Sequence, residues 1–141
     1  MILEDDFKYK DKDTFWQNIK AVFDNNINFD IIQLAYNSSQ YANTVVYKAY
    51  DTEYNFLKKA EITITSSGYI ITKKFAPILL DNFKECASQH ELIGHQTHDY
   101  SLDIYWNKLK PVSNWYVIYP PIGFQSDSYS DILETYVQYK A

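Results

Sequence analysis

The chain has 141 residues, of which 46% are hydrophobic and 22% are charged, and its formal net charge is −5. This composition is typical of a folded globular domain and excludes a disordered or low-complexity chain. No apolar run in the sequence approaches the ~18 residues that a membrane-spanning helix needs, so we expect no membrane segment and no membrane partner.

The distribution of charge restricts the possible ligands. All 13 cationic side chains are lysines, and arginine is absent. Recognition of phosphates and bases depends on clustered Lys and above all on the Arg fork, so we expect no nucleic-acid ligand. Residues 1–47 carry 4 Lys and 7 acids, residues 88–141 carry 3 Lys and 6 acids, and the middle has a slight positive excess. Both ends are therefore acidic, which favours a basic partner.

Aromatic residues are unusually frequent, with 14 Tyr, 8 Phe and 3 Trp in the chain. This is more than one small core readily encloses, and exposed Tyr and Trp are common at binding surfaces. Lys without Arg, together with many Ile, Asn and Tyr, also indicates an AT-rich gene. The alternative is therefore that tyrosine simply replaces other apolar residues in the strands under codon bias.

Cys86 is the only cysteine, so an intramolecular disulfide is excluded. The first ten residues are acidic and lack the basic start and apolar run of a secretory signal. These features predict a cytoplasmic protein.

Hydrophobic periodicity predicts a helix over residues 14–25, with Asp13 as its N-cap. Four strands are expected after it, and Ser66, Ser67 and Gly68 resemble a hairpin loop between the last two. The predicted strand ranges are 27–36, 44–50, 60–65 and 69–75. Together they favour an antiparallel meander.

Pro77 introduces a second predicted helix over residues 77–90, where a proline in the first turn is well tolerated. Residues 91–110 fit either a helix or a loop, and residues 115–119 are predicted to form a buried strand. Asp131 and Glu134 form a capping box ahead of a third predicted helix, 131–140. The sequence thus predicts one α+β domain over residues 1–141, with about five antiparallel strands, three helices and the order α-β-β-β-β-α-β-α.

The segment from His90 to Asp99 is the only candidate metal site. His90 and His95 are five residues apart, about 140° around a helix, which does not match the H-E-x-x-H pattern of zinc proteases. Glu91, His95, His98 and Asp99 would share one face of a helix and offer metal ligands, or they belong to a polar surface turn.

Cys86 and His90 have the spacing of a nucleophile and its base, or Cys86 is an ordinary core cysteine. No phosphate-binding or hydrolase motif occurs in the chain. We therefore predict no catalytic residue, no metal ligand and no cofactor, with a metal-dependent enzyme at His90–Asp99 as an alternative.

The last third of the chain interleaves carboxylates with aromatic residues, which is typical of an interface for a basic surface. The alternative is a solvated acidic face beside core aromatics. The predicted partner-binding residues are Asp99, Tyr100, Asp103, Tyr105, Trp106, Asp127 and Asp131.

A small, acidic chain of this kind without catalytic motifs resembles the broad group of bacterial immunity proteins. The resemblance implies a non-catalytic inhibitor that binds a toxin, commonly a basic nuclease domain, and blocks its active site or an adjacent surface. Asp99, Asp103, Asp127 and Asp131 would then attract the partner, and Tyr100, Tyr105 or Trp106 would anchor it. A phage-encoded inhibitor of a host defence nuclease would share these features, and the oligomeric state is not predicted.

Overall fold

The computed structural model describes residues 1–37, 45–94, 98–130 and 135–138. Its α-helices are α1 (Lys12–Asp24), α2 (Ala76–Ile93) and α3 (Leu102–Tyr105), and its 3-10 helices are His98–Tyr100 and Trp106–Val112. Its strands are β1 (Ile2–Leu3), β2 (Phe7–Tyr9), β3 (Ile31–Gln33), β4 (Tyr47–Asp51), β5 (Leu57–Thr63), β6 (Gly68–Ile71), β7 (Trp115–Ile118), β8 (Gly123–Gln125), β9 (Ser128–Ser130) and β10 (Thr135–Val137).

The main sheet has six strands in the order β1-β6-β3-β7-β5-β4. Its central neighbours β3 and β7 run parallel, and its other neighbours run antiparallel. Two further two-stranded sheets pair β2 with β8 and β9 with β10. The predicted α+β class is confirmed.

The predicted antiparallel meander is wrong, because the sheet is mixed and β6 pairs with β1 and β3 rather than with β5. The segment from Ser66 to Gly68 is therefore not a hairpin turn. The pairing of β3 with β7 joins residues more than eighty positions apart, which the local sequence pattern does not encode.

Helix α1 confirms the first predicted helix, although it begins earlier. Its N-cap is Asp11, whose extended backbone lets the carboxylate accept a hydrogen bond of 2.7 Å from the Thr14 amide. Asp13 lies in the first turn, where its charge complements the helix dipole.

Helix α2 confirms the second predicted helix and extends it to Ile93. Pro77 lies in the first turn, and Gly94 ends the helix with a left-handed φ of 74°. A glycine adopts this backbone conformation without steric cost, which explains why the helix ends there.

The sheet is buried on both faces, because alternate residues of its central strands enter two separate cores. Ile32 and Ile118 pack with Phe15 of α1 on one face. Ile31 and Trp115 belong to the core on the other face, where α2 and the Trp106–Val112 helix pack. This layered arrangement explains why nearly every residue of β3 and β7 is apolar or buried, whereas a strand with one solvent-facing side alternates apolar and polar residues.

Two of the three glycines of the chain contact one aromatic ring. A Cβ atom on Gly68 would lie 2.6 Å from the ring of Phe7, and one on Gly123 would lie 2.3 Å from it. These two positions let Phe7 enter the core and thereby attach β2 and β8 to the main sheet.

The predicted third helix is wrong over residues 135–137, which form β10, and residues 131–134 lie outside the described part of the chain. Thr135, Tyr136 and Val137 are good strand formers, and Tyr136 lies directly opposite Tyr129 of β9. Cross-strand pairing of this kind outweighs the local capping signal. The third α-helix is instead α3, within the segment that fitted either helix or loop.

No helix in the described ranges has the length and apolarity needed to cross a membrane.

Candidate functional site: an acidic surface

Trp106 and Asp103, both predicted to bind a partner, are held by contacts within the fold. Trp106 is fully buried, and its indole Nε1 donates to the Thr63 carbonyl at 3.3 Å. Asp103 is half-buried and accepts a hydrogen bond of 2.9 Å from the Thr65 amide. Trp106 is therefore a core residue, and we do not include it in a binding surface.

Tyr100 and Tyr105 are half-buried and attach the α3 region to α2. The Tyr100 carbonyl accepts from Cys86 Sγ at 2.8 Å. The Tyr105 ring lies 4.2 Å from the Nζ atom of Lys108, which also pairs with Glu85 at 2.5 Å. These contacts stabilise the fold and leave only part of each ring accessible.

Cys86 and His90 do not form the nucleophile and base pair that their spacing suggests. His90 Nε2 lies 2.5 Å from the same Tyr100 carbonyl that accepts from Cys86, so both side chains are directed at one oxygen. Burial raises the pKa of the Cys86 thiol, which keeps it protonated and weakly nucleophilic.

The described residues contain no group of three His, Cys, Asp or Glu side chains that could hold a metal ion. His95 and the side chain of His98 lie outside the description, so the alternative metal site that includes them is not placed.

Asp99 and Asp127 are exposed, as a binding role requires, and Asp131 lies outside the described residues. The structure adds acidic residues that the sequence reasoning missed, because they come from the opposite end of the chain. These are Glu4, Asp5 and Asp6, in the turn between β1 and β2.

Glu4 and Asp103 are brought together by the segment that follows β5. The Ser66 hydroxyl donates to Glu4 at 2.8 Å, and the neighbouring Thr65 amide donates to Asp103. Desolvation raises the pKa of Glu4, and the charges of Asp6, Asp103 and Asp5 raise it further. Asp6, Asp103 and Asp5 therefore each disfavour the ionised form of Glu4.

Asp6 connects this cluster to the C-terminal part of the chain. Its carboxylate accepts from Gln125 Nε2 at 2.7 Å, and its carbonyl accepts from the Ser126 amide at 2.9 Å. Asp127 follows immediately. The two acidic ends of the sequence are thus neighbours in the fold.

The β9–β10 hairpin places two tyrosines beside Asp127. Tyr129 and Tyr136 are opposite each other in the hairpin and are 59% and 63% exposed. The Tyr136 hydroxyl donates to the Asp127 carbonyl at 3.4 Å. We call the following set the acidic surface: Glu4, Asp5, Asp6, Asp103, Asp127, Tyr129 and Tyr136.

In the described part of the chain, the lysine ion pairs involve carboxylates outside the acidic surface. The ion pairs of the described residues are Lys20 with Asp24, Lys48 with Glu61, Lys58 with Asp51, Lys84 with Asp81 and Lys108 with Glu85. Within the described ranges, none of the pairs includes Glu4, Asp5 or Asp103.

A second polar cluster surrounds Lys110, which is fully buried. Its ammonium donates to the carbonyl and the hydroxyl of Thr63, both at 2.6 Å, and to Asn107 Oδ1 at 2.5 Å. Burial lowers its pKa well below the ordinary value, and Asp103 acts in the opposite direction. Because no part of Lys110 is exposed, this cluster belongs to the core rather than to a binding surface.

The sequence contained one signal for the acidic surface, the negative charge at both ends, but nothing in it showed that the ends meet. Comparisons of the chain with protein-family models, with curated proteins and with solved structures find no match.

Proposed function

We propose that the chain is a non-catalytic, immunity-type inhibitor that binds a basic protein, such as the nuclease domain of a toxin, through the acidic surface. One observation carries the proposal: carboxylates from both ends of the chain gather beside an exposed tyrosine pair, while the lysines of the described ion pairs are engaged elsewhere.

Charge and aromatic groups have different roles in this proposal. The carboxylates of the acidic surface attract a basic partner from a distance and select against acidic ones. Tyr129 and Tyr136 supply rigid contact area and ring faces for Lys or Arg side chains, which favours retention after the encounter.

The free protein also has an electrostatic reason to bind. Desolvation raises the pKa of Glu4, and repulsion by Asp6, Asp103 and Asp5 contributes to the same increase. Cations supplied by a partner relieve that repulsion, so part of the binding free energy comes from the strain of the free surface.

The experiment is affinity capture of the tagged protein from lysate of its source organism, washed at low and at high salt and read by mass spectrometry. We expect one basic protein to be retained at low salt and depleted at high salt. Tyr129→Ala should reduce its capture at least tenfold, because interface tyrosines contribute roughly 2 kcal/mol when they anchor a contact.

Trp16→Ala is the matched control, because Trp16 is a large exposed aromatic residue on α1, outside the acidic surface. It should leave the capture unchanged. If both variants capture the partner equally well, or if the retained protein is acidic, the proposal is wrong. The identity of the captured protein also separates a toxin from a host defence nuclease.

A further inference from the structure

The exposed side of helix α1 carries two large aromatic residues. Trp16 is 47% exposed and Phe23 is 57% exposed, and the heptad spacing between them places both on the same face of the helix. Trp106 and Trp115 are fully buried, so Trp16 is the exposed one of the three tryptophans in the chain. Large apolar residues at heptad spacing on an exposed helix are typical of a helix that packs against a second helix.

A shallow depression lies beside Trp16 on this side of the helix. It has a volume of about 330 Å³ and is lined by Asp13, Trp16, Gln17 and Lys20. Residues with this spacing form the hole that receives one side chain of a facing helix in knobs-into-holes packing. A cavity of roughly 150 Å³ holds a benzene molecule, so the depression is large enough for an aromatic side chain.

The charges at the two ends of the depression are complementary to those of a second copy of the chain. Asp13 and Lys20 lie symmetrically about its centre, which is between Trp16 and Gln17. A two-fold axis through that centre pairs α1 with an antiparallel copy, and Asp13 then lies level with the Lys20 of that copy. The same axis places each Trp16 over the depression of the other copy. A parallel pair would instead bring like charges together.

Lys20 can make this contact without losing the ion pair that it already has. Its partner within the helix is Asp24, and the two side chains are 74% and 57% exposed, so that pair contributes little to stability. A lysine ammonium has three N–H donors and can therefore bind a second carboxylate. Asp13 belongs to none of the ion pairs among the described residues.

We propose that the chain forms a homodimer by antiparallel packing of α1 against the α1 of a second copy, with each Trp16 in the other copy's depression. Tyr9 is 40% exposed and packs on Phe15 near the start of the helix, with 4.7 Å between ring centroids. Antiparallel packing brings this end of the helix towards the Phe23 end of the other copy. The contact shares no residue with the acidic surface, so each copy retains its own site for a basic partner.

The test is sedimentation equilibrium of the full chain over a range of concentrations, together with acrylamide quenching of tryptophan fluorescence. We expect a reversible monomer–dimer equilibrium, in which dilution increases the quenching because Trp16 becomes accessible in the monomer. Trp16→Ala should weaken dimerisation at least about tenfold. Leu80→Ala, which shortens a 53% exposed apolar side chain on α2, is the control and should dimerise like the wild type. A chain that is monomeric at all concentrations overturns the proposal, and so do equal effects of the two substitutions.

Charge variants test the antiparallel arrangement, and both positions lie on the surface, so the fold should tolerate them. Asp13→Lys would place lysine opposite lysine at both ends of the contact and should weaken the dimer about tenfold. Adding Lys20→Asp makes the two ends complementary again and should restore most of the affinity. In a parallel pair, Asp13→Lys would only exchange one contact between like charges for another. Unchanged dimerisation of Asp13→Lys, or no recovery in the double variant, contradicts the proposal.

Discussion

At the scale of the residue, the cluster around Lys110 shows how the core accommodates a lysine without a carboxylate partner. The Thr63 hydroxyl donates to Gln33 Oε1, so its lone pairs face Lys110. Trp115 Nε1 donates to the same Gln33 oxygen at 2.9 Å. The three atoms around the ammonium are therefore all acceptors, which matches its three protons although burial lowers its pKa.

Thr63→Val should destabilise the fold by about 1–3 kcal/mol, because it removes an acceptor from Lys110 and a donor from Gln33 while preserving shape. Chemical denaturation of the wild type and the variant measures the difference. Thr135→Val, at an exposed position of β10, is the control and should change stability little. Equal effects of the two substitutions would show that the hydroxyl of Thr63 has no part in the core.

At the scale of the element, sequence patterns predicted the parts that depend on local chemistry. The apolar spacing of Phe15, Ile19 and Val22 gave α1, and Pro77 marked the start of α2. The parallel pairing of β3 with β7 and the β9–β10 hairpin were not predicted, because both depend on contacts between strands rather than on local periodicity. Part of the acidic surface was missed for the same reason: Asp103 and Asp127 were among the predicted binding residues, whereas Glu4, Asp5, Asp6 and the pairing of Tyr129 with Tyr136 were not predicted.

The attachment of β2 and β8 to the main sheet depends on close approach to Phe7. Gly123→Ala should destabilise the fold by about 1–3 kcal/mol, because the new methyl group would overlap the ring. In a double-mutant cycle with Phe7→Leu, the leucine side chain has no ring for the new methyl group to overlap, so it should recover part of the lost stability.

Gly94→Ala provides the comparison for this cycle. The substitution also introduces strain, because residue 94 has a left-handed φ, but a Cβ atom at this position meets nothing within 4 Å. Its cost should therefore be independent of the residue at position 7, and coupling as strong as that of Gly123 would contradict the packing explanation.

At the scale of the whole molecule, the fold gathers like charges that destabilise it when no partner is bound. The pKa of Glu4 is raised in the folded chain, so its ionised form is disfavoured there. This raised pKa favours folding while Glu4 is protonated, below its ordinary value near 4.5, and the advantage is lost as pH rises through the folded value. A surface that disfavours its own ionised form is suited to a cationic partner.

Glu4→Gln should accordingly raise the stability of the free protein at pH 7 relative to the wild type, because glutamine keeps the acceptor for Ser66 without the charge. The difference should shrink as the pH falls from 7 through the raised pKa of folded Glu4 towards about 4.5, and it should be lost below that value, where Glu4 is neutral in both the folded and the unfolded chain. Thermal unfolding midpoints of both proteins across this pH range measure the effect. A difference that does not vary with pH would show that the charge of Glu4 is not its cause.

The most direct test of the proposed function compares two double variants that change the formal net charge equally at different places. Asp5→Lys with Asp127→Lys alters the acidic surface, whereas Asp24→Lys with Asp81→Lys alters carboxylates that pair with lysines elsewhere. The affinity of each for the captured basic partner is measured by calorimetry at several salt concentrations. We predict at least a hundredfold loss and a weaker salt dependence for the first variant only. Equal affinities for the two variants would contradict the acidic surface as the binding site.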